Sequence, residues 1–200
     1  MEKAVDNVSW YQSTPEIQAE LLQRVPITME NAHVIDVGAG ASVFVDHLLT
    51  QHWKRISILD ISASAIQKAK ERLGLNAEKI NWVVGDVTKY PTTDSAEIDV
   101  WVDRACFHFL VDQADRDNYK KWMLNATKEG SYILMGTFDL EGPTKCSGLP
   151  IQQYSAESLT EELGSSNVKL LYTTTHVHET PWNSSQVFRF CLFQRLSLPE

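Results

Sequence analysis

Four aspartates, Asp36, Asp60, Asp86 and Asp103, each lie at the end of a short apolar run: 34–37, 55–60, 80–86 and 98–103. Short runs rich in β-branched residues read as buried strands. In an open parallel sheet, ligands bind outside the carboxyl ends of the strands, so four such acids would lie along one edge and face one ligand. Carboxylates suit hydroxyls, amines and a cationic centre, and they repel a string of phosphates. An adenosine nucleoside bearing a sulfonium and an amino acid fits such a rim. ATP fits poorly, and the chain has no G-x-x-x-x-G-K-[ST] loop to hold it.

The first acid opens Asp36-Val37-Gly38-Ala39-Gly40-Ala41-Ser42, and apolar residues follow at Val43, Val45, Leu48 and Leu49. This pattern predicts strand, tight turn and helix, with glycines that let backbone come close to a ligand. A dinucleotide is disfavoured, because the third glycine of G-x-G-x-x-G would fall at Val43. Asp60 follows about 20 residues later, where nucleoside-binding α/β folds place a carboxylate for the ribose hydroxyls. Asp86 could accept from an exocyclic amine while the Val87 backbone donates to a ring nitrogen, the two contacts that reading an adenine edge demands.

The elements that must hold these residues alternate. Thr14 as N-cap with Pro15 at the first helical position predicts a helix ending near Arg24, after the aromatic pair Trp10-Tyr11. Ser62 caps a helix that Gly74 ends, and residues 115–126 form another, stopped by Lys128-Glu129-Gly130. A fifth strand over 131–138 leads into 139–150, too rich in glycine and proline for regular structure and placed to form a substrate loop. Ser155 caps a short helix, and strands near 169–178 and 186–194 complete the domain.

Bulk properties narrow the setting. Two hundred residues suit one domain, 1–200, with residues 1–25 as an N-terminal cap segment and helix. No apolar run could span a bilayer and the first residues are unlike a signal peptide, so a cytoplasmic protein with no membrane partner is expected. Cys106, Cys146 and Cys191 are odd in number and form no C-x-x-C, which argues against disulfides and a zinc knuckle. A net charge of -8 disfavours a nucleic-acid partner.

Taken in order, the glycine motif at 34–42, Asp60, Gly85-Asp86-Val87 and Asp103-Arg104 resemble the class I S-adenosylmethionine-dependent methyltransferases. More narrowly, residues 8–12, 103–110, 145–150 and 178–182 resemble a largely uncharacterised group of small methyltransferases. The resemblance implies an α/β fold: a three-layer α-β-α sandwich around a seven-stranded, mostly parallel Rossmann-like sheet with an antiparallel last strand. It implies S-adenosyl-L-methionine as cofactor and S-adenosyl-L-homocysteine as product. Residue by residue, it implies that Gly38, Ala39 and Gly40 pass close to the methionine moiety and that Asp36 orders the loop or meets the amino group. Asp60 would hold the ribose, Ile61 would pack on adenine, Gly85, Asp86 and Val87 would read its edge, and Asp103 would sit beside the methionine end. The third glycine of the motif is Ser42 here, whose small side chain still fits.

Methyl transfer from a sulfonium is an in-line displacement that needs alignment and exclusion of water more than a fixed triad. Arg104, His108 and Tyr11 are the candidate catalytic groups. For His108, packing among Phe107, Phe109 and Leu110 is an equal alternative. The metal reading of His176 and His178, two residues apart on one strand face, lacks a third ligand. Trp10, Tyr11, Cys146 and Trp182 could wall a substrate pocket. Three functions follow: methyl transfer to a small-molecule thiol, amine or carboxylate; methyl transfer to a protein lysine; or non-catalytic cofactor binding. A closed metabolite-sized pocket favours the first, a long acidic groove the second and a blocked methyl face the third.

Overall fold

The computed structural model describes residues 14–89, 97–181 and 184–197; Trp10, Tyr11 and Trp182 lie outside them. Its central sheet takes β1 (His33–Val37), β2 (Arg55–Asp60), β3 (Ile80–Val84), β4 (Ile98–Arg104), β5 (Thr127–Phe138), β8 (Val168–Glu179) and β9 (Ser185–Arg195) in the spatial order β3-β2-β1-β4-β5-β9-β8. The first five are mutually parallel, and β9 is inserted antiparallel between β5 and β8. The last strand of the chain is therefore the one that runs against the rest. Successive parallel strands need crossovers, and these supply the two covering layers.

Strand β1 is the centre of the molecule. Val34 and Val37 are fully buried and β1 is flanked in register by Ile56–Leu59 on β2 and Val100–Asp103 on β4. One face packs on α1 (Glu16–Gln23) and α2 (Phe44–Thr50) through Leu21, Leu22, Phe44 and Leu48. The other packs on α4 (Gln113–Ala126) and α5 (Ala156–Leu163) through Tyr119, Met123, Leu159 and Leu163. Each such side chain contributes roughly 1.5–3 kcal/mol by leaving water. Helix α3 (Ala63–Leu73) buries Ile66 and Ala69, is capped by the Ser62 hydroxyl accepting from Ala65 N, and ends at Gly74 with φ +56°.

Three local expectations change. Helix α1 starts one residue later than Thr14 and Pro15 suggest: Pro15 has ψ 52° and is itself the N-cap, while the Thr14 hydroxyl donates to Glu16 Oε1 at 3.2 Å. Helix α4 needs no Lys128-Glu129-Gly130 stop, because the β-branched Thr127 opens β5 and donates its hydroxyl to Met123 O at 2.7 Å. Residues 139–150 are not wholly irregular. They carry a small hairpin, β6 (Lys145–Cys146) with β7 (Leu149–Pro150), turned at Ser147 and Gly148. Both turn residues have positive φ, 50° and 82°, as two-residue turns between twisted strands require. No helix among the described residues is long and apolar enough to cross a membrane.

Candidate active site

The carboxyl ends of β1, β2 and β4 meet at the glycine turn. Gly38 has φ +67° and Gly40 φ +55°, conformations that favour residues without a Cβ. Asp60 ties this turn to the start of α3: its Oδ2 accepts from Gly40 N at 2.6 Å and its Oδ1 from Ser62 N at 2.7 Å. Burial raises the Asp60 carboxyl above its ordinary range, and those two backbone bonds pull against the rise. At Ser42 the side-chain oxygen accepts from Phe44 N at 3.1 Å and so helps start α2.

A cleft with two unlike halves runs along this edge. The polar half, about 290 Å³, is lined by Gln18, Asp36, Arg104, Cys146 and Ser147 as well as the glycine turn. The apolar half, about 500 Å³, is lined by Ile61, Val87, Cys106, Leu110, Leu149 and Pro150, with Asp86 and Gly85 at its wall. Gly38, Asp60 and Phe109 line both halves. The β6–β7 hairpin also crosses both, Cys146 and Ser147 over one and Leu149 and Pro150 over the other.

The charges at the edge act on one another. Burial pushes the Asp36 carboxyl well above its usual range, Asp103 and Asp60 push it further, and Arg104 opposes them. Its Oδ2 is buried without a hydrogen-bond partner. Burial lowers the Arg104 guanidinium to about 10 while Asp36 and Cys146 support its charge, and its Cζ lies 5.1 Å from the Phe188 ring. Burial raises the Cys106 thiol, and Asp103, Asp60, Asp36 and Asp86 all raise it further. All four carboxylates thus act through space on that one thiol, from whichever face of the sheet they lie on.

A family model described as a methyltransferase domain matches residues 34–130. Malonyl-[acyl-carrier protein] O-methyltransferase 1 of Ilyobacter polytropus is 26% identical over 133 residues, 64% of this chain and 47% of that protein. Nodulation protein S of Rhizobium tropici is 26% identical over 106 residues, 53% of this chain and 43% of that protein. The chain thus spans about half the length of the curated relatives it matches. Among solved structures, the 1,6-didemethyltoxoflavin-N1-methyltransferase of Burkholderia thailandensis, with bound 1,6-didemethyltoxoflavin and S-adenosylhomocysteine, shares the fold. That match has a TM-score of 0.70 at 16% identity, covering 92% of this chain and 78% of that one. Residues 34–130 thus carry a methyltransferase domain, in the fold of the class I S-adenosylmethionine-dependent methyltransferases.

Within this methyltransferase domain, Asp36, Gly38, Ala39, Gly40, Asp60, Ile61, Gly85, Asp86, Val87 and Arg104 all line the cleft, and Cys146 lines it from beyond the matched residues. Asp86 is already engaged: Oδ1 accepts from Thr88 N at 2.9 Å and Thr88 Oγ1 at 2.7 Å, and Oδ2 pairs with Lys89 Nζ at 2.8 Å. Those bonds hold its carboxyl down at about 2. Tyr11, Trp10 and Trp182 lie outside the described residues.

Two expected site residues are elsewhere. Asp103 is fully buried and lines neither half. It pairs in register with Val37, whereas Asp36 pairs with Val102, and that one-residue step sends its side chain to the opposite face of the sheet. There its carboxylate accepts from Cys106 N at 3.0 Å, Phe107 N at 3.1 Å and Tyr119 OH at 2.7 Å. His108 is also fully buried, against Phe109 and Phe138, and its Nδ1 accepts from Phe138 N at 3.3 Å. Burial, with Arg104 nearby, holds the imidazole down at about 3, so it is neutral and packs rather than exchanging protons.

Gln18 was not legible as a site residue from motif spacing, yet it lines the polar half with its Oε1 buried and unpartnered. A signal existed, since Gln18 occupies a stripe position with Leu21, Leu22 and Val25 where an apolar residue is the rule. Phe109, at the junction of the halves, and Ser147, at the hairpin turn, were missed as well.

Proposed function

We propose that the chain, as one domain over residues 1–200, transfers the methyl group of S-adenosylmethionine to a small-molecule thiol, amine or carboxylate. The observation that carries this reading is the two-part cleft: an apolar half of about 500 Å³ suited to adenine, continuous with a polar half of about 290 Å³ at the glycine turn. A polar half of that size suits a metabolite better than a folded protein surface. When bound, the cofactor supplies an electrophilic methyl group on a cationic sulfur.

The residues would act by binding and alignment. Asp60 accepts from the ribose hydroxyls while it holds Gly40 and Ser62, and Ile61 and Val87 flank the base. Asp86 accepts from the exocyclic amine once its bond to the exposed Lys89 gives way. Asp36, whose Oδ2 lacks a donor, takes the amino group of the methionine moiety. Arg104 and Cys146 form the wall on the acceptor side. A cytoplasmic setting and an acceptor that is neither nucleic acid nor lipid agree with the acidic surface.

Calorimetric titration with S-adenosylmethionine and S-adenosylhomocysteine, with ATP and NAD as controls, tests the cofactor. Preference for either control ends the proposal. Incubation with a labelled methyl donor and separate metabolite and protein fractions of a lysate then tests the acceptor, and label confined to protein would replace the small-molecule reading with a protein methyltransferase.

A further inference from the structure

Helix α1 buries Gln18, Leu21 and Leu22 on one stripe. Gln18 is only 2% exposed, its Oε1 has no hydrogen-bond partner, and it faces the polar half of the cleft alongside Asp36 and Arg104. Leucine or methionine would continue the stripe without leaving a buried carbonyl oxygen unpaired, a state that opposes folding. A ligand that donates a hydrogen bond to Oε1 removes that penalty, so the glutamine is explained by what enters the cleft.

We propose, resting on the methyltransferase reading above, that Gln18 positions the methyl acceptor and that this acceptor is a nitrogen nucleophile uncharged at pH 7, such as an arylamine. The lining separates the three acceptor chemistries. A carboxylate could accept only from Gln18 Nε2, would leave Oε1 unpaired and would enter beside Asp36 and Asp60. Arg104, the one cation among the described lining residues, already acts on Asp36. A thiol is a weak donor and loses its single S–H in the reaction. An alkylammonium has no free lone pair. An arylamine gives one N–H to Gln18 Oε1 and keeps its lone pair for the methyl carbon.

The step balances without a base before attack. The nitrogen lone pair forms the N–CH₃ bond as the CH₃–S bond breaks, and the electron pair of the broken bond goes to sulfur, leaving neutral S-adenosylhomocysteine. The positive charge passes to nitrogen, and one N–H proton then leaves to water. As that charge grows the N–H becomes a stronger donor, so the bond to Gln18 tightens toward the transition state.

The test uses the whole chain, its Gln18→Leu and Gln18→Glu variants, and three probes that share a ring: aniline, benzyl mercaptan and benzoate. Wild type should methylate aniline and neither of the others. Gln18→Leu should keep S-adenosylhomocysteine affinity within about threefold, raise the melting temperature by about 2–4 °C and lower kcat/KM for aniline by about tenfold or more. Gln18→Glu, which restores an acceptor oxygen, should recover part of that loss. The proposal is overturned if aniline is not methylated above the enzyme-free background, or if the thiol or carboxylate is methylated as fast. It is equally overturned if Gln18→Leu weakens S-adenosylhomocysteine binding as much as turnover. A wild type that binds no S-adenosylhomocysteine fails at the methyltransferase reading instead.

Discussion

Gly38 and Cys106 are in contact at the junction of the two halves of the cleft: a Cβ added at Gly38 would lie 2.4 Å from Cys106 Cβ and 2.8 Å from its Sγ. Gly38 also has φ +67°, so Gly38→Ala combines a left-handed alanine with direct overlap. Backbone strain of about 1–2 kcal/mol and overpacking of about 1–3 kcal/mol should together destabilise the chain by about 2–5 kcal/mol. The nearest overlap is with Cβ, so Cys106→Ala should not rescue the variant, whereas Cys106→Gly should recover the packing part. Urea melts of the four proteins measure this, and full rescue by Cys106→Ala would show that the sulfur alone is in the way.

Asp60 carries two short bonds that shape the glycine turn, and the carboxylate is proposed to hold the ribose as well. Charge-assisted bonds of this kind contribute about 1.5–3 kcal/mol each. Asp60→Ala should therefore weaken S-adenosylmethionine binding by about 10- to 100-fold, measured by calorimetry. Lys89→Ala frees one oxygen of Asp86 and should leave that affinity equal or slightly tighter. An Asp60→Ala variant with wild-type affinity would remove the ribose contact from the proposal.

The ends of β1 to β4 were legible to within two residues because an aspartate lies at or beside each, and the caps at Ser62 and Ser155 were legible because their oxygens sit one turn before the N–H they accept from. What spacing could not give was facing. Asp36 and Asp103 end neighbouring strands in the same manner, yet the one-residue difference in register turns one toward the cleft and the other into the layer of α4. Arg104 lies one residue further and so returns to the face of Asp36. The hairpin in residues 139–150 was hidden because its turn depends on a left-handed serine at Ser147, a conformation that composition does not signal.

Asp103 should make stability depend on pH in the direction opposite to ordinary acid unfolding. Burial raises its carboxyl to about 6 from an ordinary 3.8, against the bonds from Tyr119, Cys106 and Phe107. A raised carboxyl favours the folded state below pH 3.8, and that contribution is lost as pH rises through about 6. The difference is on the order of 3 kcal/mol. Asp103→Asn removes the titration, so the gap in unfolding free energy between variant and wild type should shift in the variant's favour from pH 4 to pH 7. Denaturant melts at unit pH steps read it, and a gap constant with pH would show Asp103 ionised throughout.

His108 should contribute with the reverse sign and should not contribute to the chemistry. Its imidazole is held down at about 3, against 6.5 when unfolded, because burial and Arg104 both oppose the cation. Protons then bind the unfolded chain in preference between pH 6.5 and about 3, so this contribution is complete above pH 6.5 and declines as pH falls toward 3. His108→Gln keeps an acceptor for Phe138 N and cannot titrate, so it should lose less stability than wild type between pH 7 and pH 4. Its kcat for methyl transfer at pH 7 should stay within about threefold of wild type, because a side chain that never ionises there and lines no part of the cleft cannot shuttle the acceptor's proton. A tenfold loss of kcat with unchanged stability, or the disappearance of a pH–rate limb in His108→Gln, would instead return the residue to the catalytic machinery.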